Sequence, residues 1–223
     1  MELQPICFAF TLAEVLITLG IIGVVAALTM PNLIANYQKQ LWITQLKKQI
    51  NVINNNLIRI KADEGVDNLY DSSFVIGKTN EALDIDSNKY REYFSLAVAP
   101  KGSKIQKLFN SIGEDINEIL ITNDGAYLVF VHGDHPYVML DINGDKMPNR
   151  GGRDRFIFYI FNKGVEHMSL DTDENRQNCI NMVKVTSSPD YSPDEFNAIQ
   201  FSPYGAANVC FTKIMHDGWQ MNY

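Results

Sequence analysis

One loop of this 223-residue chain groups the oxygen-bearing side chains that a hard metal ion requires. The segment from Asp141 to Asp154 reads DINGDKMPNRGGRD. Calcium takes about six to eight oxygen ligands, and glycines let backbone carbonyls turn inward. The candidate ligands are Asp141, Asn143, Asp145, Asn149 and Asp154. They predict a calcium site, and the alternative is a solvated connection between strands that is held by its own Asx turns.

The remaining motifs do not indicate catalysis. The loop opens with D-x-N-x-D like an EF-hand, but Gly152 stands where the bidentate glutamate belongs, which excludes that motif. His132 and His135 lack a third well-spaced ligand for a transition metal. The chain has no nucleophile-elbow, Walker A, zinc-protease or dinucleotide motif. We therefore expect that the protein is not an enzyme.

A single carboxylate lies in the longest apolar stretch. Glu14 is the only charged residue among residues 3–38, and the run 10–34 is long enough to cross a hydrocarbon layer of about 30 Å. A charge well inside a spanning helix costs about 2.5–3.5 kcal/mol or more, so Glu14 requires a cationic partner. Cleavage between Ala9 and Phe10 would create one, because the new α-amino group would lie about one helical turn away.

The sequence from Phe10 onward resembles the N-terminal signature of type IV pilins and type II secretion pseudopilins. The residues that carry the resemblance are Phe10, Thr11, Leu12, Glu14, Pro31 and the apolar run 15–28. In that family a prepilin peptidase cuts before the phenylalanine, methylates the new amine and leaves a glutamate at the position that Glu14 holds. Pro31 falls at the place of a helix-kinking proline. Ala9 stands where the family usually has glycine, and the leader has no basic residue.

A secretory signal peptide and a plain single-pass anchor are the alternatives for this run. A signal peptide begins with a positive region and ends its apolar stretch at a small-residue cleavage site. Here the leader is not basic, and the run continues without a break into a polar helical pattern. The pilin-type interpretation is therefore preferred.

One long helix and an antiparallel sheet are the elements expected to position these residues. Apolar residues recur three or four apart over residues 33–60, which is one face of an α-helix that ends at Gly65. From Glu118 the pattern becomes that of strands, with a hairpin turn at Asp124 and Gly125. We expect an α+β fold with a meander packed on the helix, and the resemblance implies a pilin-like α/β roll.

The resemblance and these elements together imply the domain organisation. It comprises a prepilin leader at 1–9, the transmembrane half of the helix at 10–30, its amphipathic half at 31–64, and an extracytoplasmic globular domain at 65–223. The net charge is −7 and no basic cluster stands out, which argues against nucleic acid as the main partner.

The cysteines indicate a disulfide once the leader is removed. Cys7 lies in the leader that the resemblance implies is cut off, which leaves Cys179 and Cys210. Because an exported domain lies in an oxidising compartment, we expect a disulfide between them rather than two buried thiols. On the chain-entropy model, a bond that closes a loop of about 30 residues contributes on the order of 3–4 kcal/mol.

The resemblance implies a structural subunit of a type II secretion pseudopilus or a type IV pilus-like filament. Its partners would be prepilin peptidase, like or unlike pilin subunits, and the inner-membrane assembly platform. The subunit would be anchored once in the inner membrane before assembly, with Glu14 pairing with the Phe10 amine of a neighbouring subunit. The alternative is a membrane-tethered, ligand- or calcium-binding extracytoplasmic domain that does not polymerise.

The acidic loop also resembles, loosely, the calcium-binding loop of major pseudopilins. On that likeness Asp141, Asn143 and Asp154 are the leading calcium ligands, and Asp145 and Asn149 are weaker ones.

Overall fold

A computed structural model describes residues 11–79, 81–100, 118–167, 170–185 and 205–223. In chain order its elements are α1 (Leu12–Glu64), a 3₁₀ turn (Leu69–Asp71), β1 (Val75–Thr79), β2 (Ala82–Ile85), α2 (Ser87–Phe94), β3 (Ala97–Val98), β4 (Leu120–Ile121), β5 (Tyr127–Val131), β6 (Tyr137–Asp141), β7 (Arg155–Phe161), β8 (Gly164–Glu166), α3 (Asp173–Val185) and α4 (Ala206–His216). The chain divides into two compact units, residues 1–40 and 41–223. The α+β class and the long N-terminal helix are confirmed.

In the first unit, α1 exposes apolar side chains. Leu16, Ile21 and Val24 are 61%, 60% and 61% exposed. Within the described part of the chain, α1 is the one helix that is long and apolar enough to cross a membrane, by length and composition alone. Pro31 lies inside this helix, and the kink that we expect there stays a prediction.

In the second unit, α1 has a single buried apolar face. Its buried apolar residues recur three or four apart, at Ile43, Leu46, Ile50, Ile53, Leu57 and Ile60. The helix ends at Glu64, and Gly65 follows with a positive φ of 66°. The N–H of Val66 then bonds to the Lys61 carbonyl at 3.0 Å, which satisfies one of the last carbonyls of the helix. The spacing and the glycine stop are both as predicted.

Six strands form an antiparallel meander that covers this face. Strands β3 to β8 pair in chain order, while β1 and β2 form a separate hairpin. Because side chains alternate along a strand, Leu128 and Phe130 join the core cluster of α1, whereas Val129 and Val131 belong to a second cluster. Helix α4 adds Phe211, whose ring centroid lies 5.5 Å from that of Phe158 in β7. The meander was predicted from β4 onward, but β1, β2, β3, α3 and α4 were not.

Replacement of Ile53 tests the helix–sheet core. Ile53→Ala should lower the free energy of unfolding by about 2–5 kcal/mol, because Ile53 is 2% exposed within the core. Ile58→Ala is the matched control, since Ile58 lies on the same helix and is 60% exposed. Its effect should stay within about 0.5 kcal/mol. Urea unfolding of the full chain in detergent micelles measures both, and equal losses would contradict the assigned face.

Candidate functional site

The carboxylate of Glu14 closes the first turn of α1. Its Oε2 accepts hydrogen bonds from the Thr11 backbone N–H at 2.8 Å and from the Thr11 hydroxyl at 2.9 Å. The Thr11 oxygen accepts in turn from the Glu14 N–H at 3.2 Å. This reciprocal arrangement is a capping box, which satisfies donors that have no partner inside the helix. This role of Glu14 was not predicted, although the T-x-x-E spacing signals it.

The other oxygen of Glu14 remains available for a partner. Within the part of the chain that the structure describes, Oε1 accepts no hydrogen bond and no cationic side chain pairs with Glu14. Ala9 and Phe10 lie outside the described residues. Cleavage between them, methylation of Phe10 and the pairing of Glu14 with an amine therefore stay predictions.

Asp154 is the buried centre of the acidic loop, with no exposed surface. Its Oδ2 accepts from the Asn149 N–H at 2.7 Å and from Asn143 Nδ2 at 3.3 Å, while its Oδ1 accepts from the Arg150 N–H at 2.6 Å. Burial raises the pKa of the Asp154 carboxyl, and these donors oppose that rise. The loop is thus folded around one carboxylate.

Asp141 is paired with a cation of the fold itself. Arg155 Nε lies 2.7 Å from Asp141 Oδ2, and the two side chains are 4% and 0% exposed. They face each other in the ladder between β6 and β7. Burial raises the pKa of Asp141 to about 7, although Arg155 opposes the rise. Its second oxygen accepts from the Asn143 N–H at 3.2 Å, so both oxygens have partners.

Two amide oxygens of the loop have no hydrogen-bond partner among the residues that the structure describes. They are the buried Oδ1 atoms of Asn143 and Asn149, and both residues bond to Asp154 through N–H groups. Such oxygens are suitable ligands for a hard cation. Asp145 is exposed, and Asp141 is held by its own cation. The structure therefore brings together three of the five predicted ligands.

The acidic loop brings few charged ligands together. Within the described ranges, no group of three or more His, Cys, Asp or Glu side chains is placed to hold a metal ion. The residues that fit calcium are Asn143, Asn149 and Asp154, of which only Asp154 carries a charge. The calcium site stays a prediction.

The predicted disulfide is present between Cys179 in α3 and Cys210 in α4. Both residues are fully buried. Gly152 of the acidic loop packs directly on the bridge, because a Cβ at that position would lie 2.6 Å from Cys210 Sγ. The Tyr223 hydroxyl donates to the Gly152 carbonyl at 2.5 Å. The disulfide, the acidic loop and the C-terminus therefore pack as one cluster.

A second polar group, which the sequence analysis missed, lies at the start of α2. His132 follows β5 and places Nδ1 2.5 Å from Asp84 Oδ1 and Nε2 3.4 Å from Ser87 Oγ. His132 is 48 and 45 positions from these two residues, so no local motif links them. Only the packing of β2 and β5 in the fold brings the three side chains together.

Comparison with protein-family models, with curated proteins and with solved structures finds no match for this chain. The function is therefore inferred from the residues of the chain itself: the exposed apolar helix, the acidic loop with its disulfide, and the group around His132.

Loss of Arg155 tests the buried ion pair. Arg155→Met should lower the free energy of unfolding by about 3–5 kcal/mol, because it leaves the Asp141 carboxylate buried without its cation. Adding Asp141→Asn should recover part of that loss, since no charge is then buried. Arg59→Met is the control, because its pair with Asp63 is exposed, and it should cost less than about 1 kcal/mol.

Urea titration of the full chain gives these free energies for each variant. A double variant no more stable than Arg155→Met alone would show that the two side chains do not depend on each other.

Proposed function

We propose that this chain is a pilin- or pseudopilin-like subunit of a filament, of the type II secretion pseudopilus or type IV pilus class, with a pilin-like α/β roll. The observation that carries the proposal is the change of surface along α1. Residues 12–40 expose large apolar side chains, whereas residues 41–64 bury one apolar face in the core of the sheet. A subunit that leaves a membrane for a fibre needs both kinds of surface in one helix.

The exposed apolar surface must be covered in either state. Burial of one Leu, Ile or Val side chain contributes about 1.5–3 kcal/mol. The large exposed apolar residues in this stretch include Leu12, Leu16, Ile17, Leu19, Ile21, Ile22, Val24, Val25 and Leu28. Before assembly they face lipid, and in the fibre they face the helices of neighbouring subunits. The same side chains therefore serve as anchor and as fibre core.

Processing and topology follow from the same proposal. The precursor is inserted in the inner membrane with its C-terminal domain outside the cytoplasm, and prepilin peptidase cuts between Ala9 and Phe10. The buried disulfide between Cys179 and Cys210 supports an oxidising location for the domain. The assembly platform then adds the subunit to like or unlike subunits.

One carboxylate oxygen of Glu14 caps its own helix, and the other is available to pair with a neighbouring subunit. Oε2 is held by Thr11, while Oε1 accepts nothing from the described residues. The proposal pairs Oε1 with the Phe10 amine of the adjacent subunit. Because an unpaired charge in hydrocarbon is costly, this pairing favours the assembled state.

Glu14→Gln tests the negative charge of Glu14 independently of its capping role. Glutamine keeps an oxygen that can accept from Thr11, so the capping box is retained while the negative charge is lost. Membrane insertion should be unchanged, and filament yield should fall at least about 10-fold, because the pair contributes more than about 1.4 kcal/mol. Immunoblots of sheared filaments from cells that contain the assembly machinery measure the yield.

Thr11→Ala is the complementary control. It removes the hydroxyl of the capping box and keeps the charge of Glu14, at a cost of about 1 kcal/mol to the helix. Its filament yield should stay close to that of the unmodified chain. Normal yield from Glu14→Gln would instead make Glu14 a capping residue and oppose the pairing.

Calcium binding by the acidic loop is a second proposal, and it fits equally a tethered domain that does not polymerise. The observation that favours it is the pair of buried amide oxygens on Asn143 and Asn149, beside the Asp154 carboxylate. A bound calcium ion would give these oxygens the electropositive partner that they lack. It would thereby fix the loop against the disulfide.

A thermal shift tests this second proposal. At a calcium concentration about 100 times Kd, binding adds about 2.7 kcal/mol, which raises Tm by about 5–10 °C for a domain of this size. Asn149→Gly removes the amide oxygen and tolerates the φ of 53°, so it should abolish the shift. Asn222→Gly, at an exposed position, should keep it. Scanning fluorimetry in calcium, magnesium and chelator gives the comparison, and equal Tm values in all three would contradict calcium binding.

A further inference from the structure

We propose that Ser87, His132 and Asp84 form a nucleophile, a base and a positioning carboxylate that together hydrolyse small esters bearing a positive charge. The three side chains lie in a row. Asp84 Oδ1 is 2.5 Å from His132 Nδ1, and His132 Nε2 is 3.4 Å from Ser87 Oγ. This order of groups is what activates a serine for acyl transfer, whatever fold carries it.

Asp84 determines which nitrogen of His132 carries the proton. Its carboxylate accepts from Nδ1–H, which leaves the lone pair of Nε2 directed towards the Ser87 hydroxyl. The Gly133 N–H bonds to the other Asp84 oxygen at 3.3 Å and fixes the carboxylate. The Asp84 side chain is 11% exposed, so this contact is shielded from water. The distance of 3.4 Å between His132 Nε2 and Ser87 Oγ is long for a hydrogen bond, and catalytic hydrogen bonds of this length shorten when substrate is bound.

A cavity of about 340 Å³ adjoins the serine and the histidine. It is lined by Ile76, Asp86, Ser87, Asn88, Glu118 and His132. The His132 side chain is 32% exposed, so the base is accessible from solvent. The volume suits a small ester rather than a folded polypeptide.

The charges of the cavity wall select a cationic substrate. Two carboxylates line the cavity, on Asp86 and Glu118. Glu118 pairs with Arg91 through Oε1, but its Oε2 is buried and has no hydrogen-bond partner within the described chain. A buried carboxylate oxygen without a hydrogen-bond donor is stabilised when it binds an ammonium group. Aminoacyl esters carry such an ammonium next to the ester carbonyl.

The reaction is a balanced acyl transfer to water. Ser87 Oγ bonds to the ester carbonyl carbon while its proton moves to His132 Nε2. The carbon–oxygen bond to the alcohol then breaks, and the alcohol leaves with that proton. Water, activated by His132, attacks the acyl-serine, and the carboxylic acid leaves as the proton returns to Ser87. No other reactant is needed.

The Asp86 carboxylate already caps the positive end of α2, so the negative charge that forms on the carbonyl oxygen needs a further donor. Ser87 is the first residue of this helix, where the helix dipole is positive. Asp86 already accepts the backbone N–H groups of Asn88 and Lys89, at 3.0 and 3.3 Å. Asn88 lines the cavity, and we assign its side-chain amide as that donor.

The same contacts also tie β2 to the turn after β5, so the test needs a readout that a purely structural role would not change. That readout is covalent labelling of the full-length chain in detergent micelles with an alkyl fluorophosphonate, mapped by peptide mass spectrometry. We expect an adduct on Ser87, and none in Ser87→Ala. His132→Gln should slow labelling by about 100-fold or more, and Asp84→Asn by at least about 10-fold.

The control is Ser72→Ala, because Ser72 is a buried serine outside this group. It should label at the rate of the unmodified chain. His132→Asn, which keeps a donor towards Asp84 and removes the base, is the second variant if His132→Gln lowers Tm. An unlabelled Ser87 in folded protein, or equal labelling rates with and without the histidine, would overturn the proposal.

Substrate selectivity is measured with two p-nitrophenyl esters, of glycine and of acetic acid. After correction for spontaneous hydrolysis, kcat/KM should be at least about 10-fold higher for the glycyl ester. That ratio corresponds to the contribution of about one ion-paired hydrogen bond. Glu118→Gln should reduce that ratio. A ratio near one in the unmodified chain would overturn the cationic specificity.

Discussion

Burial of one apolar face of α1 beneath the meander is the interaction on which the domain depends. The face is set by residues spaced three or four apart, such as Leu46, Ile50 and Ile53, and it meets the alternate residues of the strands. Once this packing fixes the strand register, the polar groups have determined places. Asp141 must face Arg155 across β6 and β7, and His132 must emerge from β5 beside Asp84.

Most of the buried carboxylates and amides in the described chain have hydrogen-bond or ion-pair partners within the fold. Asp141 has Arg155, and Asp154 has three N–H donors. Within the described chain, the buried carboxylate and amide oxygens without such partners are two asparagine oxygens in the acidic loop and one oxygen of Glu118. The second oxygen of Glu14 also accepts no hydrogen bond from the described residues, although its side chain is exposed. Each proposal made for this chain assigns a cation to one of these places, because an oxygen without a donor gains most from a positive charge.

Sequence patterns predicted the elements whose signals are local. Apolar spacing gave the face of α1, Gly65 its end, and the Asp124-Gly125 turn one hairpin of the meander. The pairing of Cys179 with Cys210 also followed, once the leader was set aside. Helices α3 and α4 were missed, as were the contacts of His132, because they depend on packing between distant segments. The acidic loop was predicted, but its first aspartate, Asp141, is paired with an arginine that no ligand motif takes into account.

The central claim is that this chain is processed and assembled as a pilin-like subunit. The most direct test is the N-terminal sequence and intact mass of the protein extracted from membranes, from cells with and without prepilin peptidase. A start at Phe10 with one added methyl group, dependent on the peptidase, is the predicted result. A start at Met1 in both cells would contradict the claim and leave a tethered domain.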